Sequence, residues 1–325
     1  MPRDINQTQL LTNQALVLGG APNTFGQNFP IGRGWYKTRI RIGITLTIGT
    51  GAGAITEGEL LFIKNIFMKT DKNEILCNLN GRALYKYLQK INHTLSRKDN
   101  VAAASATYYV YLTIPHARRM DENRPLDTIL DTARYKGITL QITVGTVSDL
   151  LTAPGTATIT SAIDAEIVHT SEILPENAQP ILYRSLVAIS PVVPTVQQFI
   201  DIDRARDLAI TAIMLATSNL AAAGVAFTGA NSDAIIADFD VRDQDRFYQQ
   251  TRLWEFHQSE NKEEYSIEAQ QVGSTIVDFA KDGSIFSSIY TGNKSMFRYQ
   301  WRNKGGVIAT DQVSLMYDGV RQLVA

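Results

Sequence analysis

A chain of 325 residues with a 44% hydrophobic fraction has enough apolar side chains for about two domain-sized cores, and its composition is not that of a disordered protein. Its 31 basic and 32 acidic residues leave a formal charge of −1 and are mixed along the whole length. That excludes the basic arm or patch with which a nucleic-acid binder displaces phosphate counterions, so no direct nucleic-acid binding is expected.

Met1 to Gln14 has no apolar core behind a basic start, and no stretch approaches the ~20 apolar residues of a membrane span. The chain therefore reads as a soluble protein of a cytoplasm-like compartment. Residues 1–34 are polar and amide-rich, broken by Gly19, Gly20, Pro22, Gly26, Pro30, Gly32 and Gly34, which predicts an extended N-terminal arm outside any core. Strict alternation begins at Tyr36. Ile40, Ile42, Ile44, Leu46 and Ile48 point one way and Arg39, Arg41, Thr45 and Thr47 the other, the pattern of a half-buried strand over 39–48. GTGAGA (49–54) turns into a second strand, 59–69.

At 80–92 the period changes to that of a helix, with Leu84, Leu88 and Ile91 on one face and Asn80 as N-cap. Strands return at 107–115, 138–144 and 158–169. Between the first two, Pro125 suits a first helical position, with Leu126, Ile129, Leu130 and Ala133 on one face and Gly137 as the stop. The two-proline stretch 171–182 reads as a linker. Beyond it come strands at 183–193 and 205–217, a Gly/Ala-rich loop at 221–230 and a helix at 241–254. Further strands fall at 274–280, 284–290, 296–302 and 311–318.

The halves repeat. LFIKNIFMKT (61–70) and LAITAIMLAT (208–217) match at Leu61/Leu208, Ile63/Ile210, Ile66/Ile213 and Thr70/Thr217, and each is preceded by a strand and followed by a helix and more strands. The predicted fold is all-β with a few short helices: two tandem jelly-roll barrels or sandwiches, each with one flanking helix. The first spans 35–170 and the second 183–325. Ile42 and Ile210 should face the two cores.

The residues that bear chemistry do not assemble into a catalytic or metal motif. His93, His116, His169 and His257 lie in four elements without metal-ligand spacing and read as surface or core-edge residues. Asp238, Asp240, Asp243 and Asp245 alternate as calcium ligands do. However, Asp243 stands where the loop needs glycine, and Arg242 and Arg246 offset the charge, so helix capping explains them better. Gly49, Gly51 and Gly53 lack the GxGxxG spacing and read as a β-turn. Cys77, the only cysteine, reads as a buried small hydrophobe, and Trp35, Trp254 and Trp301 as core or interface residues. No catalytic residue, cofactor or metal is expected.

The tandem β-domains, the helix in each half and the stretch HARRMDENRPLDTILDTARYKGITLQITVGTVSDL (116–150) together resemble the double jelly-roll major capsid proteins of icosahedral viruses with an internal membrane. These are the tectivirus and corticovirus lineage, with finnlakevirus-type bacteriophage coats of about this length the most similar. The resemblance implies a structural virion protein, not an enzyme. It implies a homotrimer whose six barrels make a pseudo-hexagonal capsomer. The implied partners are neighbouring capsomers, penton and minor coat proteins, with the arm 1–34 touching other capsomers or the internal membrane. It also implies residence in the virion after assembly in the host cytoplasm, with 221–240 as an exposed surface loop. Two other classes compete: a spike or lectin-like glycan-binding protein, and a two-domain carbohydrate-active enzyme with carboxylates converging about 5–9.5 Å apart.

Overall fold

The computed structural model describes residues 5–26, 29–49, 53–91, 97–116, 129–173, 181–189, 197–201, 208–219, 230–243, 246–264, 272–280, 288–291, 297–307 and 311–323. They form two compact units that divide between Val187 and Ala188. This break lies just beyond the stretch read as a linker; 174–180 fall outside the described residues.

Besides a short pairing of Gly53–Ala54 with Leu151–Thr152, the first unit has two larger sheets. One runs in the order Ile5–Ala15, Thr158–Ile173, Arg33–Thr47, Ala106–Pro115, Arg97–Lys98, all antiparallel. Its centre follows the alternation of the sequence. Ile42 pairs with Ile163 on one side and Val110 on the other, and all three are fully buried, while Arg41 and Thr45 point outward. The second sheet runs Asn23–Phe25, Ile138–Val144, Ile63–Thr70, Ile75–Leu79. Ile181–Ile189 joins it in parallel, with Leu186 and Val187 beside Cys77 and Asn78. The helix Gly81–Ile91 starts where predicted, with the Asn80 side chain accepting from the Ala83 N–H at 2.7 Å.

Three expectations for this half need correction. The N-terminal arm is extended but not free: Ile5–Ala15 is an antiparallel strand on Thr158–Ile173, and Asn23–Phe25 pairs with Ile138–Val144. A polar strand can close a sheet edge through its backbone alone, so it leaves no hydrophobic period to read. Thr8 Oγ1 adds a 2.8 Å bond to His169 Nε2, and Asp164 accepts from the Asn13 N–H at 2.9 Å. The strand expected at 59–69 begins instead as a short helix, Gly58–Phe62, because the unbroken run Leu60–Leu61–Phe62 has no period of its own. The helix expected from Pro125 falls partly on 117–128, outside the described residues. Where the chain is described, Leu130–Asp131 pairs with Gly34 and Trp35, and Thr132–Arg134 is a single 3-10 turn. Asp131 takes the Ala133 N–H for its own side chain, a competition that disfavours a continuing helix.

The second unit contains a four-stranded antiparallel sheet, Gln197–Asp201, Arg298–Asn303, Ile236–Asp243, Arg246–Leu253. Its other strands gather on Leu208–Asn219, which pairs with Gln312–Leu323 on one side and with Ser274–Asp278, Ile289–Tyr290 and Ala230–Asn231. The internal repeat therefore falls on Ile63–Thr70, with Leu61 in the short helix before it, in the first half and on Leu208–Asn219 in the second. All eight matched residues are buried, from Leu61 and Leu208 to Thr70 and Thr217.

Here the expected helix at 241–254 is wrong. Residues 236–243 and 246–253 are paired strands, and the helix follows them at Trp254–Glu264. Phe239 and Val241 alternate into the core, a period of two that decides for strand. The exposed loop expected at 221–240 is corrected in part as well. Residues 220–229 lie outside the described residues, but Ile236 and Phe239 are buried strand residues.

Candidate assembly surface

The residues singled out for chemistry are mostly packed away. Trp35, Trp254 and Trp301 are fully buried, as is Cys77, whose thiol burial pushes up to about 12. His116, His169 and His257 are also buried, which overturns the surface alternative of the surface-or-core-edge reading; His93 lies outside the described residues. Asp238 and Asp240 sit on a strand and not at a helix cap. Asp238 pairs with Arg302 and Asp240 lies 3.9 Å from Arg242, while Asp245 lies outside the described residues. Among the described residues no group of three or more His, Cys, Asp or Glu could hold a metal ion.

One of these groups senses pH. His116 Nε2 lies 2.9 Å from Thr38 Oγ1 and its ring 5.8 Å from that of Trp35. Burial lowers its pKa from 6.5 to about 3. The folded chain thus keeps it neutral while the unfolded chain takes up a proton below 6.5. Its contribution to stability is complete above pH 6.5 and is lost as pH falls toward 3, at about 1.4 kcal/mol per pH unit. Denaturation midpoints at pH 7, 6 and 5 should fall, and His116→Asn should flatten that slope.

What remains for function is the outside of the sheets. The outer face of the first unit carries Asp164 and Glu166 on Thr158–Ile173, Arg39 and Arg41 on Arg33–Thr47, and Tyr109 and Tyr111 on Ala106–Pro115. Arg39 meets Glu166 at 2.6 Å and Arg41 meets Asp164 at 2.8 Å. Arg41 also lies 5.2 Å from the centre of the Tyr109 ring, and Arg97 lies 5.9 Å from that of Tyr111. The four-stranded sheet of the second unit repeats the device. Arg298 pairs with Asp201 at 2.7 Å and stacks 3.9 Å over the exposed Phe199, and Phe247 and Leu253 are also exposed on this sheet. In each half one arginine is held by a cross-strand carboxylate and covers a cross-strand aromatic ring. Sequence reasoning missed these faces. Arg39 and Arg41 were legible as outward-facing, but the partners come from strands more than sixty residues away along the chain.

Neither a protein-family model nor a curated protein sequence matches the chain. Solved structures do. The major capsid protein of Sulfolobus turreted icosahedral virus is similar over 98% of this chain and 97% of its own, with a TM-score of 0.72 at 14% identity. The major capsid protein of bacteriophage PM2 matches over 99% and 98%, at 0.61 and 11% identity. The Faustovirus major capsid protein matches over 99% and 91%, at 0.61 and 9% identity. The chain is a double jelly roll, the fold it shares with these major capsid proteins.

Proposed function

We propose that this chain is the major capsid protein of an icosahedral virus and forms trimeric, pseudo-hexagonal capsomers over an internal membrane. The observation that carries the reading is coverage. The likeness runs through both jelly rolls, and little of either chain is left over in the pairs with the Sulfolobus virus and bacteriophage PM2 proteins. The near-balanced charge suits a coat that a membrane separates from its genome. Its place is the virion, after assembly in the host cytoplasm, beside other capsomers, penton and minor coat proteins. The linker 171–182 is proposed to join the first jelly roll to a second beginning at 183, with Ile5–Ala15 belonging to the first. The outward side of Ile5–Ala15 then faces neighbouring capsomers or lipid. A role without catalysis follows from the same reading, and no feature among the described residues favours a glycan-binding pair of domains or a carbohydrate-active enzyme.

The purified chain should run as a trimer of about 108 kDa, three times 36.0 kDa, and show a hexagonal outline by negative stain. A monomer, or a compact dimer without that outline, would overturn the proposal.

A further inference from the structure

The outer face of the first unit has an order beyond its own ion pairs. Across neighbouring strands, which lie ~4.8 Å apart, run an acidic column (Asp164, Glu166), an arginine column (Arg39, Arg41) and a tyrosine column (Tyr109, Tyr111). Beyond the acidic column lies the amide-rich edge strand, where Gln9 stands opposite Glu166. Turned by a half-rotation about an axis between the first two columns, the face matches itself. The arginines of one copy lie over the carboxylates of the other, and its tyrosines over the other's edge strand. The groups have capacity for this second partner: Arg39 reaches Glu166 through Nη1, and a guanidinium carries five N–H donors. The Arg39 and Arg41 side chains are 38% and 43% exposed, so both reach the solvent.

We propose that this face docks, by a two-fold axis, onto the same face of a second copy of the chain, and that it joins copies belonging to adjacent capsomers; the capsomer part rests on the capsid reading. Charges already paired within each copy need little reorganisation on docking. A polar, charge-paired face is the composition of a reversible contact, unlike the apolar core of an obligate interface. Such a contact weakens with salt, because charged groups at its rim are screened.

The test is a charge swap. Self-association beyond the basic oligomer is followed by sedimentation velocity at low and high salt, for wild type, Arg41→Glu and the double variant Arg41→Asp/Asp164→Arg. Wild type should associate, more strongly at low salt. Arg41→Glu should associate at least about tenfold more weakly. The double variant restores the pair within each copy, which controls for folding, and it is again complementary to itself. It should regain association with itself but not with differently labelled wild type, where like charges would face each other. Association of Arg41→Glu equal to wild type, free mixing of double variant and wild type, or no association of wild type would each overturn the proposal. The smallest species in the same runs reports separately on the capsid reading: a monomer that still pairs through this face would sink the trimer and leave the docking face standing.

Discussion

Aspartate in place of Ile42 or Ile210 should abolish the soluble folded chain. Both isoleucines are fully buried at the centre of their sheets, Ile42 between Ile163 and Val110 and Ile210 between Ile289 and Gly319. None of those neighbours carries a charge or a side-chain donor. An unpaired polar group there costs several kcal/mol by desolvation, and roughly 2–3 kcal/mol of isoleucine burial is lost as well. Together these approach the whole stability of a typical domain, about 5–15 kcal/mol. Soluble yield and sedimentation would show the loss, with Ile42→Val as control, expected to cost only about 0.5–1.5 kcal/mol. Normal expression of the aspartate variants would remove the case for these two strands as core strands.

Truncation of Phe239 to alanine ranks second. Its ring stacks on Tyr299 at 5.3 Å and 25°, meets Trp254 edge-on at 6.4 Å and 76°, and lies 5.1 Å from His257. Since Trp254 and His257 belong to the helix Trp254–Glu264, Phe239 ties the four-stranded sheet to that helix, beside the ion pair of Arg252 with Glu260. The cavity should cost about 3–5 kcal/mol, with about 0.5–1.5 kcal/mol more for lost ring pairing. Phe239→Leu fills most of the space and should lose much less. Urea denaturation midpoints would separate the two, and equal values would mean that the ring geometry contributes nothing.

How much of the fold was legible depended on whether burial was written in apolar residues. The strand Arg33–Thr47 and the helix Gly81–Ile91 announce themselves through isoleucines at period two and leucines at helical spacing. The helix Trp254–Glu264 does not. Its buried stripe is Trp254, His257, Gln258 and Asn261, helical in spacing but polar in three of four places, so hydrophobic periodicity passes over it. The edge strand Ile5–Ala15 is silent for a related reason, since its place depends on backbone pairing. The aspartates at 238 and 240 read as helix caps because the partner of Asp238, Arg302, lies on a strand distant in sequence. The candidate surface was half legible: the outward arginines could be read from alternation, whereas their cross-strand partners required the register.

That polar stripe has a use. Asn261 accepts the Ile276 N–H at 2.7 Å and donates to the Ile276 carbonyl at 2.9 Å, while Gln258 donates to the Ser274 carbonyl at 3.3 Å. These are the backbone groups that Ser274–Asp278 would otherwise offer to a foreign strand. Two side-chain amides thus imitate a missing neighbour and leave no template there for runaway strand addition. Occupying those groups removes a seed for fibre growth under crowding, where an exposed strand edge would recruit further copies.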